Sequence, residues 1–226
     1  MEIEDCDMSQ KRDEVIRTVL GTKVIAIIRG FPPDTCVRLA EAYLKGGIRL
    51  VEVTFPQAAP ASWKKTAEAI RTISTRFAGE MFAGAGTVLT REQLQIAADA
   101  GGRYMIAPSV NPDLIREAVK MDMVAIPGAF TPTEVVSAYE AGASFVKLFP
   151  VTALGPSYVK ALRAPLPHIP LLAVGGITPD NIAGYMKVGC VGAGVSGVLT
   201  DKELIAAGAW DKIAEVARAL VTNAKG

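Results

Sequence analysis

The chain has 226 residues and a formal net charge of +1, and half of its residues are hydrophobic. This length suits one large domain or two small ones, with enough apolar residues for a substantial core. Near-neutral charge without a basic cluster argues against nucleic-acid binding, no apolar run reaches membrane-spanning length, and the acidic N-terminus is unlike a secretory signal. Three distant cysteines, Cys6, Cys36 and Cys190, indicate no disulfide framework or zinc site and favour a reducing cytoplasm.

The predicted elements begin with an amphipathic helix near residues 8–20, after which short apolar runs alternate with helical patterns. The predicted strands are 24–28, 50–54, 81–85, 104–107, 123–126, 145–149, 171–174 and 191–195. The predicted helices are 33–45, 62–76, 91–100, 112–121, 133–141, 157–162, 179–187 and 210–221. Several of these helices end at a glycine and several begin with Thr-Pro or Asn-Pro, as helix boundaries often do.

This alternation of strands and helices indicates parallel β/α units. Eight such units predict an eight-stranded parallel (β/α)8 TIM barrel with an extra N-terminal helix, and the alternative is a doubly wound open sheet. No linker or low-complexity tract interrupts the chain, so we expect a single domain over residues 1–226. In such barrels the chemistry takes place at the C-terminal ends of the strands.

Lys147 lies inside the otherwise apolar run Phe145-Val146-Lys147-Leu148-Phe149. Burial disfavours the charged form of an amine, and a neutral amine attacks carbonyl carbon to form a Schiff base. The alternative is a lysine at a strand end that extends its ammonium group into water. The other residues at the strand ends favour the chemical interpretation.

Glu52 occupies a similar position in the second predicted strand, where it shares one face with Thr54. A carboxyl group among apolar neighbours has a raised pKa and can transfer protons near neutral pH. The alternative is a glutamate in a salt bridge with an arginine. Together with Lys147, Glu52 forms a candidate pair of proton carrier and nucleophile.

Glycines and hydroxyl groups follow several other predicted strands. Thr87 follows Gly84-Ala85-Gly86 and either contacts substrate or caps the next helix, and Arg29 follows the first strand as an anion ligand or a surface residue. The glycine-rich ends of the last two strands predict a phosphate site, with tight turns as the alternative. The predicted phosphate ligands are Gly175, Gly176, Gly194 and Ser196.

This set of residues suits cleavage or condensation next to a carbonyl, through an imine, on a phosphorylated and carboxylated substrate. No cluster of metal ligands accompanies it, and we expect no metal and no cofactor. The single histidine, His168, lies in a proline-rich loop, which argues against chemistry that depends on a histidine base.

Six segments at these positions resemble the KDPG/KHG aldolase family, which acts on 2-keto-3-deoxy-6-phosphogluconate and 4-hydroxy-2-oxoglutarate. They are Val51-Glu52-Val53-Thr54-Phe55, Gly84-Ala85-Gly86-Thr87-Val88, Ala107-Pro108-Ser109, Ile126-Pro127-Gly128, Val146-Lys147-Leu148-Phe149-Pro150 and Val174-Gly175-Gly176-Ile177. The resemblance runs through nearly the whole chain. It implies a class I aldolase that assembles as a homotrimer and releases pyruvate and glyceraldehyde 3-phosphate.

The resemblance also implies the role of each residue. Lys147 becomes the Schiff-base lysine and Glu52 the general acid/base, and the glycine loops with Ser196 bind phosphate. The expected substrate contacts are Thr87, Arg29, Thr54, Pro108 and Phe149.

Two positions depart from the family pattern. Pro56 stands where many members carry an arginine for the substrate carboxylate, and Val174 replaces a threonine common in the gluconate enzymes. Substrate identity therefore stays open between the phosphogluconate, with 4-hydroxy-2-oxoglutarate as a second substrate, and the phosphogalactonate. The same barrel and phosphate loops would also suit a phosphosugar isomerase, a thiamin-phosphate synthase-like transferase, or a non-catalytic phosphate-binding barrel.

Overall fold

The computed structural model describes residues 2–226, with side chains from residue 10 onward. Within that range the chain forms ten α-helices and nine strands. The helices are α1 (Glu2–Thr22), α2 (Pro33–Lys45), α3 (Trp63–Arg76), α4 (Arg91–Asp99), α5 (Pro112–Lys120), α6 (Pro132–Glu140), α7 (Gly155–Arg163), α8 (Ile182–Lys187), α9 (Lys202–Ala206) and α10 (Trp210–Lys225). The strands are β1 (Val24–Ile28), β2 (Leu50–Thr54), β3 (Phe82–Gly86), β4 (Tyr104–Ile106), β5 (Val124–Ile126), β6 (Gly128–Ala129), β7 (Val146–Leu148), β8 (Leu171–Val174) and β9 (Gly192–Val195).

The strands form one parallel sheet in the order β5-β4-β3-β2-β1-β9-β8-β7-β6. Its two end strands, β5 and β6, are consecutive along the chain and separated only by Pro127. The stretch 124–129 therefore pairs with β4 through its first half and with β7 through its second half. Proline has no N–H to donate to the ladder, so one barrel strand is divided into two. The predicted barrel with its extra N-terminal helix is confirmed.

Most predicted boundaries agree with the structure to within two residues, but α1 begins six residues earlier, α10 ends four residues later and α8 begins three residues later than predicted. The side chain of Asn181 accepts a hydrogen bond from the Thr178 N–H and donates one to the carbonyl of Gly176. This turn takes the place of the first helical turn that Thr178-Pro179 predicts. The short elements β6 and α9 were not predicted.

Buried apolar side chains form two layers. The larger layer lies between the strands and the surrounding helices. The smaller one fills the barrel interior, where α1 contributes Val15 and Val19. Its other residues lie in the strands or directly before β7, and they are Ile25, Leu50, Tyr104, Ile106, Val124, Ile126, Phe145 and Leu172. The predicted N-terminal helix therefore packs against the interior of the barrel at the N-terminal ends of the strands.

No helix in the described part of the chain is both long enough and apolar enough to cross a bilayer.

Candidate active site

Glu52 and Lys147 are buried polar residues in the barrel strands β2 and β7. Leu50 and Phe145 lie two positions before them and belong to the interior cluster. Because side chains alternate along a strand, Glu52 and Lys147 point inward as well, one layer above these apolar residues. Strand alternation places Thr54 on the same inner face, as the sequence predicts. The barrel thus brings the predicted proton carrier and nucleophile into one interior.

The Glu52 carboxyl group is almost completely removed from water, with 1% of the residue exposed. Burial raises its pKa, and the positive charges of Lys147 and Arg29 oppose this rise. Its Oε2 atom has no hydrogen-bond partner, and the ion pairs of the described side chains do not include Glu52. The expectation of a glutamate held in an arginine salt bridge is therefore not met in the structure.

Room for this carboxyl group comes from the neighbouring strand. A Cβ atom at Gly86 would overlap Oε1 of Glu52, so only glycine fits there. The sequence pattern suggests that the glycines of β3 allow close approach of a ligand, whereas Gly86 accommodates a side chain of the protein itself.

Lys147 is 6% exposed, and burial lowers the pKa of its amine. The Glu52 carboxylate raises that pKa and the Arg29 guanidinium lowers it. The Nζ atom lies 4.8 Å from the centre of the Phe149 ring, which faces it at the strand end. The lysine does not extend into bulk water, and its environment increases the fraction of neutral, nucleophilic amine.

A cavity of about 250 Å³ lies against Lys147 and Phe149. The predicted phosphate ligands also line it, on the ends of β8 and β9, and its wall includes Val174 and Gly197. The four predicted ligands in this wall are Gly175, Gly176, Gly194 and Ser196. The nucleophile and the predicted phosphate ligands therefore line one cavity.

These four residues contribute to the cavity in different ways. Gly175 and Gly176 adopt φ values of +104° and +66°, which glycine tolerates best. Gly194 packs closely against Val174, whose nearest methyl carbon would lie 3.0 Å from an added Cβ. The Ser196 hydroxyl donates to the carbonyl of Ile27 at 3.0 Å. Its proton is directed at the backbone and not at the cavity, so backbone N–H groups are the main donors available there.

A second cavity of about 620 Å³ opens beside the ends of β1 and β2, and Arg29 lines both spaces. Thr54 and Thr87 lie in its wall. Thr87 has φ = 57°, an uncommon conformation for a β-branched residue. The cap of α4 is Thr90, whose side chain accepts from the Gln93 N–H, so the expectation that Thr87 caps the helix is wrong.

Pro56, which replaces the expected arginine, lines the same cavity. The next residue, Gln57, donates to the carbonyl of Thr87 at 2.7 Å and accepts from Gln93 at 3.0 Å. This pair of amides joins the loop after β2 to the loop after β3. Their role was not predicted, although Gln93 falls at the fourth position of the Thr90-Arg91-Glu92-Gln93 capping pattern.

Other predicted residues lie farther from this arrangement. Pro108 follows β4 and is exposed, and neither cavity includes it. His168 is exposed and packs edge-on against Tyr139, with ring centres 5.4 Å apart. Within the described residues, no group of three His, Cys, Asp or Glu side chains is arranged to hold a metal ion.

Tyr104 is a polar interior residue that was not predicted from the sequence. It is fully buried at the start of β4, and its hydroxyl has no hydrogen-bond partner. Burial raises its pKa well above the usual range, and the nearby charge of Glu52 adds to the rise. The sequence could have indicated Tyr104 only through its position, because Tyr104 and Gly84 occupy neighbouring strands.

Taken together, the geometry supplies a buried amine, a buried proton carrier and an adjoining cavity rich in backbone donors. A neutral amine in the same interior as a carboxyl group of raised pKa is suited to imine formation and to proton transfer at the adjacent carbon.

Comparisons with known proteins agree with this chemistry. Among curated proteins, the chain is 39% identical over 173 residues to the 2-dehydro-3-deoxy-6-phosphogalactonate aldolase of Escherichia coli K12, covering 76% of this chain and 82% of that protein. It is 29% identical over 215 residues to the 2-dehydro-3-deoxy-phosphogluconate aldolase of Haemophilus influenzae, covering 95% and 98%.

Among solved structures, a native KDPGal structure matches with a TM-score of 0.80 and 35% identity, covering 89% of this chain and 94% of that chain. The KDPG aldolase of Legionella pneumophila, with pyruvate captured as a covalent carbinolamine, matches with a TM-score of 0.78 and 26% identity, covering 90% and 96%. The family profile described as KDPG and KHG aldolase matches residues 15–216. The chain belongs to the KDPG and KHG aldolase family and is a lyase of the aldolase class.

Proposed function

We propose that this aldolase cleaves 2-keto-3-deoxy-6-phosphogalactonate to pyruvate and glyceraldehyde 3-phosphate through an imine on Lys147. One observation carries the proposal: the buried Nζ of Lys147 faces the cavity that the glycine-rich ends of β8 and β9 also line. A substrate that places its phosphate at those glycines extends its carbonyl end toward the amine. Glu52 lies in the same interior, where it can exchange protons with the bound substrate.

The chemistry begins at the substrate C2 carbonyl. The neutral amine of Lys147 adds to this carbon, and loss of water leaves a protonated imine. Glu52 then accepts the proton of the C4 hydroxyl, the C3–C4 bond breaks, and its electron pair moves into the imine. Glyceraldehyde 3-phosphate departs, and the enamine of pyruvate remains on the lysine.

The cycle closes when the enamine gains a proton at C3 and becomes the imine of pyruvate. Water hydrolyses this imine, which releases pyruvate and restores the amine. Glu52 carries the proton in both directions, and its raised pKa suits alternate use as base and acid near neutral pH. The Arg29 charge supports the role of Lys147 as the nucleophile, because it lowers the pKa of Lys147 and so increases the fraction of neutral amine.

Two observations favour the galactonate over the gluconate. The chain is 39% identical to a relative named for the galactonate and 29% identical to one named for the gluconate. Val174 also lines the Lys147 cavity without a hydroxyl, where threonine is common in the gluconate enzymes. The two substrates differ in configuration at C4, one of the two atoms of the bond that breaks, so a changed cavity wall can discriminate between them.

The same imine chemistry extends to 4-hydroxy-2-oxoglutarate, which lacks the phosphate. We propose that it is a poorer substrate, because it leaves the donors at the ends of β8 and β9 unused. A homotrimer is the assembly we propose, and sedimentation velocity tests it through the mass of the particle in solution.

The proposed function is tested by incubating the protein with pyruvate and borohydride and mapping the adduct by mass spectrometry. We expect a reduced pyruvyl group on Lys147. An adduct confined to Lys160 or Lys187 would overturn the assignment. In parallel, kcat/KM is measured on the two phosphorylated epimers, and a preference for the gluconate would refute the proposed substrate while leaving the imine mechanism intact.

A further inference from the structure

Among the described side chains, three buried polar atoms have no hydrogen-bond partner, and one of them is Nε of Arg12 in α1. The other two belong to interior residues of β2 and β4, the strands that flank β3. One is Oε2 of Glu52 and the other is the hydroxyl of Tyr104. The first is an acceptor when ionised, and the second is a donor. A buried polar group without a partner is rare in folded proteins, so an unpaired donor and an unpaired acceptor in one barrel interior call for an explanation.

The strand between them explains how the two groups approach each other. Glu52 pairs with Gly84 of β3, and the register Ala85–Met105 continues to put Tyr104 on the other side of Gly84. A Cβ at Gly84 would overlap the Tyr104 ring, just as a Cβ at Gly86 would overlap the Glu52 carboxylate. Both side chains therefore lie over the bare backbone of β3 and extend across it from opposite sides.

We propose that Tyr104 is a positioning residue that donates a hydrogen bond to the Glu52 carboxylate through one bound water. The proposal rests on the proposed function, since it gives the proton carrier of that reaction its partner. Neither Tyr104 nor Glu52 lines the two cavities, and we assign to Tyr104 an effect on the substrate only through Glu52.

The chemistry of the two groups sets the direction of the effect. The raised pKa of Tyr104 keeps its proton in place over the working pH range. A hydrogen bond to an ionised acceptor is about twice as strong as one between neutral groups, so it stabilises the carboxylate more than the carboxylic acid. Tyr104 therefore counteracts part of the rise in pKa that burial imposes on Glu52.

The other charged groups that act on Glu52 are Lys147 from β7 and Arg29 after β1, and both also favour the carboxylate. On the side of α1, Val15 and Val19 add apolar surface to the interior. Arg12 donates to the Ser144 hydroxyl and is not among the charges that act on Glu52. The contribution of Tyr104 differs from that of the two cations because it is a short-range hydrogen bond, which a phenylalanine removes without changing the net charge.

The variant Tyr104→Phe keeps the ring against Gly84 and removes only the hydroxyl. The Glu52 carboxyl is titrated by ¹³C NMR of protein labelled at glutamate carboxyl carbons, with its signal assigned by comparison with Glu52→Gln. We expect this carboxyl to titrate at higher pH in the variant. The acidic limb of kcat/KM moves in the same direction, with roughly tenfold lower activity there for a shift of about one pKa unit and little change on the plateau.

A matched control is Tyr43→Phe. Tyr43 is also fully buried, but its hydroxyl donates to the carbonyl of Leu199 outside the barrel interior. This variant loses a buried phenol hydroxyl as well, and we expect both the Glu52 titration and the pH profile to stay in place.

An unchanged Glu52 titration in Tyr104→Phe overturns the proposal, as does an equal loss of activity at every pH. A shift of the same size in Tyr43→Phe also overturns it, because the effect would then come from a general loss of packing when a buried hydroxyl is removed. Failure of the proposed function is seen separately, as absence of the pyruvyl adduct on Lys147. The NMR titration needs no turnover and still reports on Tyr104 and Glu52 in that case.

Discussion

The two halves of the barrel interior are built from the same strands but have opposite chemistry. Toward the N-terminal ends, apolar side chains such as Leu50 and Phe145 fill the space together with Val15 and Val19 of α1. Toward the C-terminal ends, Lys147 adjoins one cavity and Arg29 adjoins two. One half is closed by packing, and the other is open to a ligand.

This contrast explains how the barrel keeps a lysine and a glutamate away from water. Burying a charge costs free energy unless the charge is compensated, and a buried ionisable group responds through its pKa. The closed half excludes water from one side of Glu52, and the residues of the open half supply the opposite charges. We therefore expect substitutions in the open half to change catalysis and those in the closed half to change stability.

The largest effect is expected at Lys147. Lys147→Arg keeps a positive charge and much of the side-chain length, but a guanidinium cannot form the imine, so turnover is abolished. Coupled detection of pyruvate from the phosphorylated substrate measures the loss. The control is Lys160→Arg on the exposed face of α7, which should retain wild-type kcat/KM. Turnover in Lys147→Arg at a rate comparable with the wild type would show that Lys147 does not form the imine.

The next effect is expected at Glu52. Glu52→Gln keeps the shape of the side chain and removes its ability to carry a proton, and loss of a general acid/base costs about 10²–10⁴-fold in rate. Exchange of the pyruvate methyl protons with deuterium, followed by NMR, isolates this step. Exchange at the wild-type rate would show that another group moves the proton.

The same variant tests the charges around the amine. The Glu52 carboxylate raises the pKa of Lys147, so its removal lowers that pKa and neutral amine becomes available at lower pH. We expect the pH of half-maximal borohydride trapping with pyruvate to fall in Glu52→Gln. Arg29 lowers the pKa of Lys147, so Arg29→Met should shift the midpoint to higher pH. Shifts of the same sign in both variants would contradict the arrangement of charges described above.

A smaller effect is expected where phosphate is proposed to bind. Gly197 lines the Lys147 cavity, and a Cβ added there meets nothing within 4 Å, so Gly197→Asp introduces a negative charge without a clash. Repulsion between the carboxylate and the phosphate should weaken the hydrogen bonds to the phosphate. Loss of one hydrogen bond to a charged group lowers kcat/KM for the phosphorylated substrate by about 10- to 100-fold. Gly197→Asn is the uncharged control of nearly equal shape.

Activity of both Gly197 variants on 4-hydroxy-2-oxoglutarate should change much less, because that substrate carries no phosphate. Equal losses on the two substrates would mean that this loop supports the barrel and does not bind phosphate. The position is a better probe than Gly176, where φ is +66° and an added Cβ would overlap Thr152. A valine at Gly176 would disturb the loop whatever its function.

The open and closed halves also differ in how well the sequence predicts them. A charged side chain within an apolar run identifies Glu52 and Lys147 as candidate interior residues. The alternation of strands and helices along the chain predicts the barrel, apart from the division at Pro127. The hydrogen bond of the Ser196 hydroxyl to Ile27 was not predictable, since it joins residues 169 positions apart.

The glycines of β3 also show that a single sequence does not predict contacts between neighbouring strands. A sequence indicates that Gly84 and Gly86 leave space, but it does not indicate what fills it. The structure places the Tyr104 ring and the Glu52 carboxylate there, contributed by the two neighbouring strands. Such cross-strand relations depend on register, which a single sequence specifies poorly.

The smallest effect on catalysis is expected in the closed half, at Val19 of α1. Val19 is fully buried in the interior cluster, so Val19→Ala removes two methyl groups worth ~0.8 kcal/mol each and leaves a small cavity. The free energy of unfolding in urea should fall by about 2 kcal/mol, while kcat/KM at a temperature where the protein stays folded remains unchanged. The neighbouring Leu20 is 45% exposed, and Leu20→Ala is the matched control with little effect on either quantity. A loss of kcat in Val19→Ala at full folding would show that α1 transmits its packing to Glu52 and Lys147, and the separation of the two halves would then fail.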